Sequence, residues 1–71
     1  MSATASARSQ DSRHAAVSEA AKHLYDAEIA LHIARQTGVG AWIVAAYDRL
    51  SEAIARHTAA LDALADVPPA A

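Results

Sequence analysis

Residues at positions 43, 50, 57 and 64 (Ile43, Leu50, His57 and Leu64) stand seven apart, with Ala46, Ala53 and Ala60 at the complementary positions between them. At about 100° per residue, Ile43, Tyr47, Leu50, Ile54, Leu61 and Leu64 fall on one stripe roughly 100° wide. The opposite face carries Asp48, Arg49, Glu52, Arg56, Asp62 and Asp66. This period is that of an amphipathic helix. It predicts a helix over about 41–66, closed by Pro68–Pro69, which lack the amide that a continuing helix needs.

The preceding segment has the same period with a complication. Val17, Leu24 and Leu31 are also seven apart and are flanked by Ala20, Ala27 and Ala34. This is an alanine-rich seam suited to close packing. A second stripe, Tyr25, Ile29 and Ile33, lies on another side of the same helix. A surface helix ordinarily has one apolar face, so two stripes imply two buried contacts. The pattern leaves open which of them packs within the chain. Asp11 or Ser12 is a suitable N-cap, giving a first helix over about 11–37. Gly38 suits the left-handed position that ends a helix, and 38–40 form the turn. The first ten residues, rich in Ser, Ala and Thr, are expected to be a disordered tail, and 67–71 a C-terminal tail.

Two long helices joined by so short a link must be antiparallel neighbours. The fold expected is all-α, an antiparallel helical hairpin. Its size argues for more. A 60-residue domain buries only about 60% of its unfolded surface, and chains this small usually need disulfides, a metal or oligomerisation. This 71-residue chain has no cysteine, which removes disulfides and thiolate zinc sites. The expectation is therefore a homodimer that forms a four-helix bundle, or a hairpin that completes a protein partner's bundle. Val17, Leu24, Tyr25, Ile29, Ile33, Trp42 and Tyr47 are its expected interface residues.

Composition changes this picture little. Alanine fills 21 positions and is the strongest helix former. The net charge of −2 is spread along the chain, with no basic face or run of the kind that binds nucleic acid. The longest apolar run, Ala41–Tyr47, is far short of the ~20 residues of a membrane span. No apolar signal segment opens the chain, so a cytoplasmic location is the default expectation.

Chemistry has few footholds. His14, His23 and His32 recur every nine residues and alternate sides of their helix, so they cannot converge on one ion. No serine or threonine has an adjacent base to activate it, and Gly38-Val39-Gly40 is too short for a phosphate loop. No cofactor and no enzymatic activity are expected. One polar constellation remains. Glu28 and His32 lie between the two apolar stripes of helix 1, and His57 occupies a core position of helix 2. In an antiparallel dimer, His57 of one chain would fall between Glu28 and His32 of the other, an acceptable donor set for zinc or iron. The structural alternative has Glu28 and His32 bonded to each other, with His57 satisfied inside the bundle. Trp42, in the first turn of helix 2, is expected to pack over the turn against Ile33 or Val39. It could also anchor a partner, as tryptophans at interfaces do, which would suit an adaptor or antitoxin-like protein.

The stretch Leu31-His32-Ile33-Ala34-Arg35-Gln36-Thr37-Gly38 and the stretch Ala41-Trp42-Ile43-Val44-Ala45-Ala46-Tyr47-Asp48-Arg49-Leu50 resemble short, uncharacterised actinobacterial proteins of mycobacterial type. These are alanine-rich helical hairpins with A-R-Q-T before the turn and a tryptophan just after it. The resemblance covers about Ser18–Leu64 and implies the hairpin fold, with no activity to transfer.

Overall fold

The computed structural model of the chain describes residues 2–66, which form two helices, α1 (Ser2–Thr37) and α2 (Gly40–Ala65), packed against each other with no strand among them. The hairpin is expected from the pattern, and so is its turn. Gly38 has φ of +70°, the left-handed conformation that glycine adopts without steric cost. Thr37 secures the chain on either side of it. Its hydroxyl donates to the Ala34 carbonyl at 2.6 Å and accepts from the Val39 amide at 3.2 Å. Val39 then starts α2, its carbonyl accepting from the amides of Trp42 and Ile43 at 3.1 Å. At the far end, the Asp66 amide donates to the Asp62 carbonyl at 2.9 Å and the helix stops. Residues 67–71, expected as a C-terminal tail, lie outside the described residues.

The start of α1 departs from expectation. The helix begins at Ser2, so Asp11 and Ser12 lie inside it and cap nothing, and residues 2–10 are helical rather than a disordered tail. No glycine or proline interrupts Ser2–Thr37, and Ala3, Ala5, Ala7, Arg8 and Gln10 are good helix formers. Once a helix is nucleated, each added residue needs only one more favourable step. The result is a 36-residue helix beside one of 26.

Two arginines reach from α1 to α2. Near the turn, the Arg35 guanidinium donates to the Tyr47 hydroxyl and lies 5.3 Å from the ring centroid. At the open end, Arg13 Nη1 donates to the Asp66 carbonyl at 3.4 Å, bringing a cation to the negative end of α2. Arg13 thus already faces the last turn of α2, and the first turns of α1 run on past it. The long dimension of 56 Å is that of α1 alone, at about 1.5 Å per residue.

The core lies where the two alanine series meet. Its buried residues are Ala20, Ala27, Leu31, Ala34, Ala46 and Ala53. Val17, Leu24, Ile43, Leu50 and Leu64 are half-buried in the same seam, and Leu31 packs with Ala34 and Ala46 against Ile43 and Leu50. Large residues of one helix therefore alternate with small ones of the other, and the alanines let the axes approach toward the short end of the roughly 8–10 Å range for packed helices. This settles which stripe of α1 packs within the chain. Val17 and Leu24, expected at an interface with a partner, belong to the intrachain seam.

Candidate functional site

The hairpin buries its small side chains and leaves many of its large ones in water. Tyr25, Ile29, Ile33, Val39, Trp42, Val44, Tyr47, Ile54 and Leu61 are all exposed, and among the described residues no large side chain is fully buried. The seven-residue repeat explains where these groups go. Tyr47, Ile54 and Leu61 each follow one of the seam alanines, which at about 100° per residue turns them roughly 70° to one side of the seam. Arg49 and Arg56 each precede a large seam residue and turn about 90° to the other side. The hairpin is therefore a two-layered ribbon with two unlike faces.

The first face is apolar on its α2 half. Tyr47, Ile54 and Leu61 are 42%, 49% and 44% exposed and form a ridge two heptads long. On the α1 side, Arg35 reaches along the ribbon to flank Tyr47. On the outer side of α1, away from the seam, Ser18, Ala21, Lys22, Tyr25 and Asp26 line an open hollow of about 460 Å³.

The second face is polar. His23 and Asp26 of α1 stand opposite Arg49, Glu52 and Arg56 of α2 around a groove of about 260 Å³ floored by Ala27, Ala30 and Ala53. Arg56 Nη2 lies 3.7 Å from Glu52 Oε1, the i,i+4 pair that the sequence spacing favours. Toward the turn, Trp42 borders a second hollow with Ala30, Ala34, Ala45, Ala46 and Arg49. Trp42 does not pack over the turn as expected. It is 59% exposed, because its position turns it to the polar side of the ribbon.

The polar constellation also differs from expectation. Glu28 and His32 are exposed rather than set between buried stripes, and His57 is half-buried in the seam. His32 Nε2 lies 3.5 Å from Gln36 Nε2, so its neighbour is the next residue on its own face rather than Glu28. Among the described residues, no three His, Asp or Glu side chains gather closely enough to hold a metal ion. No helix among them is long and apolar enough to cross a membrane.

Ile54 and Leu61 share one broad apolar stripe with Ile43 and Leu50 in the sequence, yet both are exposed in the fold. Their separate seven-residue spacing, one step after each alanine, was the available signal. No family model, curated protein or solved structure matches the chain.

Proposed function

We propose that the protein is a non-enzymatic interaction module whose hairpin self-associates into a four-helix assembly. One observation carries this reading: among the described residues, the core consists of five alanines and one leucine, while nine large apolar side chains remain exposed. Scattered exposed apolar residues are ordinary, but a contiguous apolar patch marks an interaction surface. Tyr47, Ile54 and Leu61 recur along one flank of the seam on α2, and Tyr25, Ile29 and Ile33 form a second exposed apolar stripe on α1. Ile54 and Leu61 are 49% and 44% exposed, so covering the rest of each contributes about 1 kcal/mol, half or so of the value for full burial.

Sedimentation equilibrium of the purified chain at micromolar concentration tests the reading. The expected mass is about twice the monomer's 7.4 kDa, with dissociation on dilution. A fully helical species of 7.4 kDa at every concentration overturns it.

A further inference from the structure

The geometry points to the hollow beside Trp42 as a binding site for a small organic anion, a carboxylate carried on a short aromatic body. The inference goes beyond the self-association reading above and does not depend on it.

Spacing along α2 builds one side of the hollow. Trp42, Ala45, Ala46 and Arg49 are related as i, i+3, i+4 and i+7, so they share one face of the helix. Ala30 and Ala34 of α1 supply the other side. Four of the six lining residues are alanines, and their short side chains leave a space of about 230 Å³. Trp42 and Arg49 stand two turns apart, about 10 Å along the axis at 1.5 Å per residue. That span suits one ring and a short acid arm.

The lining selects the chemistry. Trp42 has the largest apolar side chain in the sequence, yet it is 59% exposed. A flat ring laid on the indole removes apolar surface of both from water. Arg49 is the only charged residue of the hollow. Among the described residues it forms no ion pair, since Glu52, three residues on, pairs with Arg56 instead. A guanidinium offers coplanar N–H donors that match the two oxygens of a carboxylate. An unpaired cation at the rim of an apolar slot therefore favours an amphipathic anion over a neutral solute.

The neighbouring groove limits the ligand's charge and length. It shares Ala30 and Arg49 with the hollow and adds Asp26 and Glu52. Those carboxylates repel a second negative group. The ligand is thus a monoanion whose acid stops at Arg49.

Trp42 is the only tryptophan, so its emission reports on the hollow directly. Phenylbutyrate and its uncharged amide are titrated into the full chain at matched ionic strength, with helicity checked by circular dichroism. The acid is expected to move the emission to shorter wavelength and to saturate, with Kd on the order of 1 mM for a ligand of this size. The amide is expected to bind several-fold more weakly. Arg49→Gln is expected to reduce the acid to the amide's affinity, and Arg56→Gln to leave the acid's affinity unchanged. Absence of a saturable shift overturns the site. Equal binding of acid and amide to the wild type, or a preference for the acid that survives Arg49→Gln, overturns the anion. Sedimentation of the same samples keeps the two readings apart: a monomer that binds the acid removes self-association alone, and a dimer that ignores it removes this site alone.

Discussion

Arg35 reaches across the turn end of the hairpin and holds Tyr47, its guanidinium donating to the phenol and lying 5.3 Å from the ring centroid. Both residues are exposed, so the contact contributes little to folding. Cation–π pairs at exposed sites are worth about 0.5–1 kcal/mol. Arg35→Ala is expected to lower the unfolding midpoint by only a few degrees. Tyr47→Ala, which also removes an exposed ring from α2, is expected to weaken the proposed self-association several-fold. Thermal unfolding and sedimentation, measured on both variants, separate the two effects. Equal losses in both assays would make Tyr47 a folding residue only.

Leu31 is the largest buried side chain of the seam, and it packs against Ile43 and Leu50 across a floor of alanines. Leu31→Ala is expected to cost about 2–4 kcal/mol, the range for truncating a buried leucine. The converse change is informative as well. Ala46→Leu inserts bulk where the helices touch and is expected to cost about 1–3 kcal/mol through overpacking. Chemical denaturation measures both. A neutral Ala46→Leu would mean that the helices do not pack as closely as their alanines allow.

His57 occupies a seam position in series with Ile43, Leu50 and Leu64 and is only half-buried. Replacing it with leucine completes the apolar series. His57→Leu is expected to be neutral or stabilising, since exchanging a polar group for an apolar one of similar shape often is. If His57 instead joined Glu28 and His32 of a second copy around a metal, the substitution would weaken the oligomer, because the binding free energy of such a site is also folding free energy. Unfolding of the wild-type protein with and without EDTA decides between them. The expected midpoint is the same in both.

The first turns of α1 extend past the end of α2. Deleting residues 2–10 is expected to remove roughly a seventh of the helical ellipticity per molecule and to leave the unfolding midpoint nearly unchanged. Loss of several degrees would show that this segment is docked.

The hairpin and its turn were legible because period and punctuation agree. The seven-residue alanine series marks both faces of the seam, and Gly38 takes the left-handed conformation that ends α1. The start of α1 was not legible, since Asp11 and Ser12 carry the chemistry of a cap but sit within a run that nothing interrupts. Nor was the destination of each large residue. Along α2, Leu50 and Ile54 both fall within one broad apolar stripe. Only a narrow, alanine-lined seam turns Leu50 inward and Ile54 outward, and the width of a seam depends on its partner helix. Trp42 was misassigned for the same reason: proximity to the turn in sequence says nothing about which side of the ribbon a side chain takes.

The two arginine clasps close loops of very different length. Arg35 and Tyr47 are 12 residues apart, whereas Arg13 and Asp66 are separated by 53. The entropy of closing a loop grows with its length, and contacts local in sequence form soonest. The chain should therefore zip from the turn outward, with the Arg13 clasp closing last and opening first. Amide protons near Leu31 and Ala46 would then exchange most slowly, with protection fading toward Val17 and Leu64. That gradient makes the far end of the ribbon the point where a protease or an unfoldase first gains purchase.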